Sequence, residues 1–413
     1  CFFAASRTLM PGDSMQILSL FGQTGEKSEI EALTAPVNTP EWFMEKRRQA
    51  EELVRNLTDV IDTKTANEVF DGYCRQTYLD NLLRGGTPVF FGKDDRKMPF
   101  YMYSRKHGDP EREYNAFSLG DEYYAQGNGN FRDVCQNRRC DVFFHPQLKD
   151  FGIRTFFELI QSDGYNPLVM TFSTFRMQPK DAKDCSMKLP KKDRENAVTL
   201  LTEEFTPGRL AMFAQDCGLE EEENREFMDL CLGKAQCDPN ADFGEGYWSD
   251  HWTYLQDLID QYLELYPEEK KSLLFAEENL RWYETRAFVN PRRKRYEKTE
   301  NGLRQYHALD MNRKHTSGVR WMQTVSGETA CSSLAEKMVV LCTLKAATAD
   351  AAGMGIEMEG GKPGWYDALN GLPGLLGSSM AETCELVRML GFLEEALRQE
   401  DGGISLYEEM AEL

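Results

Sequence analysis

The sequence predicts an all-α body standing behind a short β segment, and three observations carry that expectation. Apolar residues recur at helical spacing through several long stretches. Gly, Pro and capping residues punctuate the ends of those stretches. Only the first 36 or so residues, including Met15-Gln16-Ile17-Leu18-Ser19-Leu20, read as one or two strands with turns.

In chain order, Thr39-Pro40-Glu41 marks the first strong helix start. Thr39 can cap, Pro40 suits the first helical position, and Glu41 favours the positive end of the dipole. A second helix is expected from about Thr65 to Leu83, stopped by Gly85-Gly86-Thr87-Pro88. Further helices are expected at Phe151–Ser162, Asp250–Tyr266, Ser272–Ala287, Leu334–Ala352 and Met380–Gln399. The loops at 92–130 and 353–379 are too long to serve only as connectors, and such loops usually carry function.

Composition narrows the classes. The chain has 413 residues with 68 acidic and 48 basic side chains, a net charge of −20. That field repels polyanions and argues against nucleic acid as a partner. The basic run Pro291–Arg295 is flanked by acidic segments and reads as a solvated loop or a set of ion pairs. No apolar run approaches the roughly 20 residues of a membrane-spanning helix, so no membrane partner is expected. The opening residues lack a basic region followed by an apolar stretch, and are expected to lie inside a longer polypeptide. Eleven cysteines without CxxC spacing or a histidine cluster read as reduced thiols, with no metal and a cytoplasmic setting.

Three constellations could carry chemistry. In the first, Gly127-Asn128-Gly129-Asn130 leads into Phe131-Arg132-Asp133 and Gln136. Asp accepts from vicinal hydroxyls, Arg donates in a fork, and Gln does both, a set suited to sugars. A tight turn followed by a structural Arg–Asp network accounts for the same residues. The second, Tyr247-Trp248-Ser249-Asp250-His251-Trp252, offers aromatic faces for a pyranose, although helix capping accounts fully for Ser249 and Asp250 and core packing is the commoner fate of such aromatics. The third, Gly360 to Leu372, sets Asp367 beside Trp365 and Tyr366 on a Gly/Pro-rich loop. Burial against rings would keep such an acid protonated and suit it to general-acid work. A turn held by an Asp side chain is the structural alternative.

Taken together, the order and character of these stretches resemble the cellobiose phosphorylase-like glycoside phosphorylases. In that family a glycine-rich segment runs into Phe-Arg-Asp-x-x-Gln, matched by Phe131, Arg132, Asp133 and Gln136. A Ser-Asp at a helix start is matched by Ser249-Asp250, and a Trp-x-Asp by Trp365 and Asp367. Tyr103–Asp109 and Trp365–Met380 look like loops of large relatives acting on β-glucan oligosaccharides. The resemblance implies a partial six-hairpin (α/α)6 barrel over 85–413, a helical linker over 38–84, and the end of a β-sandwich domain over 1–37. It also implies inverting phosphorolysis of a β-glucoside or β-glucan oligosaccharide to α-glucose 1-phosphate. Asp367 would be the general acid, and Arg132, Asp133, Gln136, Trp365, Trp248 and Asp250 would bind substrate. Inorganic phosphate would be a co-substrate, no other cofactor would be needed, and the parent protein would pair as a homodimer.

Two positions depart from the narrower family. Gly364 stands where Asp often precedes the Trp, and Asn137-Arg138-Arg139 follows the Gln where Asp is usual, which points to a longer β-glucan rather than cellobiose. The family's phosphate ligands lie well downstream of the acid, so these 413 residues alone are expected to be inactive. An inverting hydrolase on the same barrel would need a second carboxylate about 6.5–9.5 Å from the acid, with Glu357 and Glu359 among the candidates. A non-catalytic carbohydrate-binding module is the remaining alternative.

Overall fold

The computed structural model describes residues 4, 6–20, 27–34, 37, 39–93, 97–102, 122–127, 129–167, 169–242, 251–276, 278–307, 309–310, 320–350, 352–357, 378–400 and 403–412. The chain is mostly helical, with short antiparallel strand pairs, and divides into two compact units, Cys1–Leu79 and Asp80–Leu413.

In the first unit, Pro40–Thr58 forms the expected helix. The Thr39 hydroxyl accepts from the Trp42 amide at 3.3 Å, with Pro40 in the first turn. Its charged face is laced by pairs at helical spacing, among them Arg48 with Glu45 and Glu52. The Arg75 guanidinium, on the helix Glu68–Gly85, donates to Thr58 Oγ1 and Asp62. The β segment expected before residue 37 differs. No strand forms among the described residues before Lys27, and Lys27–Thr34 is a helix. Lys27, Glu31 and Ala32 lose little side-chain freedom in a helix, which decides the local choice.

The second unit has two large apolar clusters. One packs the helices Phe131–Arg138, Phe151–Glu158, His251–Leu265, Leu334–Ala346 and Met380–Arg398 around Phe131, Phe156, Leu255, Met338 and Met389. Each such buried side chain contributes roughly 1.5–3 kcal/mol relative to exposure. Ion pairs cross-tie the helices: the Lys345 ammonium meets Glu382 at 2.6 Å in the interior, and Arg388 meets Asp257 and Asp260 nearer the surface. The other cluster gathers Pro179–Ser186, Arg194–Thr202, Pro207–Asp216 and Glu221–Leu232 against the hairpin Thr87–Phe91/Met98–Met102. Thr206 caps Pro207–Asp216 and Glu220 with Glu223 forms a capping box at Glu221–Leu232, yet the short lengths of these helices hide the period in the sequence.

Two further expectations are corrected. Ser272–Ala287 is not one helix: a π-helical turn, Ser272–Ala276, gives way to Leu280–Arg281, which pairs with Cys331–Ser332. The aromatics Trp282 and Tyr283 suit extended backbone once partners are present. The body is also not purely α, since seven small antiparallel sheets stand among the described residues. One of them joins Gly129–Asn130, Val169–Met170 and Ala241–Asp242 and so fixes the entry to the helix Phe131–Arg138. The basic run forms the short helix Arg292–Arg295, with Arg292 paired to Glu357. Among the described residues, no helix is long and apolar enough to cross a membrane.

Candidate functional site

The Phe-Arg-Asp segment begins a helix immediately after the strand Gly129–Asn130. Phe131 is fully buried and meets Phe156 edge to face, which anchors the first turn. Arg132 and Asp133 are buried together. Arg132 Nε and Nη2 donate to Asp133 Oδ1 at 3.1 and 2.9 Å, and Asn130 Nδ2 donates to Oδ2 at 3.2 Å. Asp133 near the helix start also complements the dipole. Gln136 is half-buried on the same helix.

The structure thus brings Arg132, Asp133 and Gln136 together on one short helix. Asp367, Trp365, Trp248 and Asp250 lie outside the described residues. Trp252, the other aromatic of the second constellation, packs in the main core, as the structural alternative expects. Glu357, one candidate base of a hydrolase, is buried with its Oε2 held by Arg292 at 2.8 Å.

Beside this helix lies a cavity of about 1250 Å³. Gly127, Gly129, Val134 and Arg138 of the motif segment line it, while Arg132, Asp133 and Gln136 do not. Its centre of charge is Arg281, missed by sequence reasoning. Arg281 donates to Glu158 through Nε at 2.9 Å and Nη2 at 2.8 Å, and to Asp238 through Nη1. The guanidinium lies 3.8 Å from the centre of the Trp321 ring. Burial works against its charge, but the bonds from Glu158 and then Asp238 outweigh that and leave its pKa raised. Glu204 Oε1 accepts from both Arg176 Nη2 at 3.0 Å and Arg320 Nη2 at 2.9 Å.

A second stacked arginine belongs to the same lining. Arg138 lies 3.7 Å from the centre of the Tyr101 ring, and its Nε donates to the Gly85 carbonyl at 2.6 Å. Gly85 eases that approach, since a Cβ there would crowd Asn137 Cβ at 3.1 Å and Arg138 Cγ at 3.3 Å. Tyr101 Oη donates to Asp141 Oδ2 at 2.9 Å. Burial pushes the Asp141 carboxyl up to about 7, against the opposing pull of the Tyr101 bond and the Arg138 charge. Burial likewise lowers the pKa of Arg138.

No sequence signal links Glu158, Asp238 and Arg281, which are brought together only by the fold. Arg138 was visible as a departure from the family pattern after Gln136, but its place in the cavity was not. Among the described residues, no group of three or more His, Cys, Asp or Glu is placed to hold a metal ion. Neither the models of known protein families nor the curated proteins contain a match to this chain.

Proposed function

We propose that the chain belongs to a sugar-active enzyme of the cellobiose phosphorylase-like kind, its helices forming part of a six-hairpin (α/α)6 barrel. The observation that carries this reading is the buried Arg132–Asp133 pair, set at a helix start behind a glycine-rich strand and followed by Gln136. A pair already oriented in this way can offer a carboxylate and a guanidinium edge to sugar hydroxyls at little entropic cost. In the reaction, phosphate attacks the anomeric carbon of a β-glucan oligosaccharide as the glycosidic C–O bond breaks. Asp367 gives its proton to the leaving oxygen, and α-glucose 1-phosphate and a shortened saccharide depart. No carboxylate base is needed, because phosphate takes the place of an activated water. The ten described cysteines are free thiols, which supports a cytoplasmic setting.

Asp367→Asn tests the reading. Phosphorolysis, followed as glucose 1-phosphate released, should fall by several orders of magnitude while saccharide affinity changes little. Turnover that survives this change, or that proceeds without phosphate, rules the reading out. Asp133→Asn should weaken saccharide binding as well as rate.

A further inference from the structure

The strand Thr174–Arg176 runs into the helix Pro179–Ser186, and the helix Glu221–Leu232 runs into the strand Gln236–Asp238. The two strands pair antiparallel, with Arg176 opposite Gln236. The same antiparallel order continues along the helices. Asp181 meets Lys234 at 3.8 Å, and one turn further on the Cys231 thiol donates to the Cys185 sulfur. Both cysteines are fully buried free thiols in the second apolar cluster.

The two sulfurs differ in kind. The bond from Cys231 and the charge of Lys234 hold the Cys185 thiol below its ordinary pKa, against burial and the charges of Asp181 and Asp184. Burial, and then the same bond, push the Cys231 thiol well above its ordinary value. Burial alone, as at Cys342, pushes a thiol up to about 12 and leaves it inert. Cys185 is thus suited to be a nucleophile, and Cys231 the thiol that resolves it. A second cavity, of about 770 Å³, opens beside them. Its lining reaches Met187, just past Cys185, and Leu230, next to Cys231. A small reagent in this cavity needs only a local opening of one helix end to reach the pair.

We propose that Cys185 and Cys231 form a reversible disulfide on meeting a hydroperoxide, and that the bond clamps the two helices behind one wall of the large cavity. With hydrogen peroxide, the Cys185 thiolate attacks one peroxide oxygen and the O–O bond breaks. The departing hydroxide takes up the proton that Cys185 gave up and leaves as water, with Cys185 now a sulfenic acid. Cys231 then attacks the Cys185 sulfur, and the displaced hydroxyl leaves as water with the Cys231 proton. Two thiols lose two electrons in all, and the peroxide is reduced to two waters. The strands that continue from these helices carry Arg176 and Asp238 of the cavity wall, so the cross-link stiffens that wall from behind. A disulfide of this reversible kind is the one compatible with a reducing compartment. The proposal does not rest on the sugar-active reading.

Hydrogen peroxide added to the whole native chain, followed by alkylation and peptide mass mapping, tests it. The Cys185 and Cys231 peptides should appear joined, about 2 mass units lighter than their sum, and should separate again with dithiothreitol. Cys231→Ala should instead leave a sulfenic acid at Cys185, captured by dimedone, while Cys185→Ala should leave Cys231 reduced. Amide exchange across 174–186 and 221–238 should slow severalfold in the oxidised chain and recover on reduction. The mapping and the exchange use the unsubstituted chain, so neither depends on how the variants fold. A pair that stays reduced while the exposed Cys140 and Cys384 are oxidised overturns the proposal. So does a disulfide that forms only in urea, or a sulfenic acid at Cys231 in place of Cys185. Unchanged exchange in the oxidised chain overturns the clamp.

Discussion

Arg281 and Arg138 line one cavity, and the guanidinium of each lies over an aromatic ring at nearly the same distance, 3.8 Å from the Trp321 centre and 3.7 Å from the Tyr101 centre. Burial weakens the charged form of both. Their pKa values nevertheless move in opposite directions. The difference lies in the partners: Arg281 is gripped by Glu158 and Asp238, whereas Arg138 has a carbonyl and a ring. Stacking on an aromatic face does not replace a counter-charge. One arginine is therefore a structural tie, and the other retains binding capacity.

The largest expected effect comes from breaking the tie. Arg281→Met leaves two carboxylates, each with roughly a tenth of its side chain exposed, without their cation. Removing one partner of a buried ion cluster costs about 3–5 kcal/mol. Urea unfolding should show that loss, and adding Glu158→Gln and Asp238→Asn to the same chain should restore much of it. Arg138→Met should cost only about 1–2 kcal/mol, since it gives up one hydrogen bond and a stacked cation. Equal losses at the two positions would erase the distinction drawn between them.

The next effect is on pH dependence at the Arg138 wall. Asp141 holds its proton in the folded state up to about 7, while the unfolded chain releases it near 3.8. Between those values the native state binds more protons than the unfolded state. Stability therefore falls as pH rises from about 4 to 7, by at most about 1.4 kcal/mol per pH unit. Asp141→Asn should flatten that limb in melts recorded across the window. A limb unchanged by the substitution would show that Arg138 already keeps Asp141 ionised, and that the two arginines are paired alike.

The contrast also marks what the sequence made legible. Arg132, Asp133 and Gln136 are contiguous, so a motif could point to them, and the helix Pro40–Thr58 followed from Thr39, Pro40 and Glu41. Long amphipathic helices such as Met380–Arg398 were visible from their period. Arg281 joins Glu158 across 123 positions and Asp238 across 43, and no local pattern records such a meeting. The helix expected at Ser272–Ala287 failed for the same reason. The pairing of Leu280–Arg281 with Cys331–Ser332 is a tertiary choice that overrides local preference.

A second pH effect extends the lesson to a buried lysine. Lys337 and Lys345 share the helix Leu334–Ala346, and both are buried. Lys345 has Glu382 at 2.6 Å. Lys337 donates to the Phe157 carbonyl at 2.9 Å and lies over the Trp282 ring at 3.8 Å, so it too has dipoles and a ring. Burial lowers its pKa from 10.5 to about 7, with Glu158 opposing. Between those values the unfolded chain carries a proton that the native state lacks, so stability rises as pH rises from about 7 toward 10.5. This is the reverse of the Asp141 limb. Lys337→Met should remove the rise in chemical unfolding measured from pH 7 to 10, and a rise that survives the substitution would show that Lys337 is not its source.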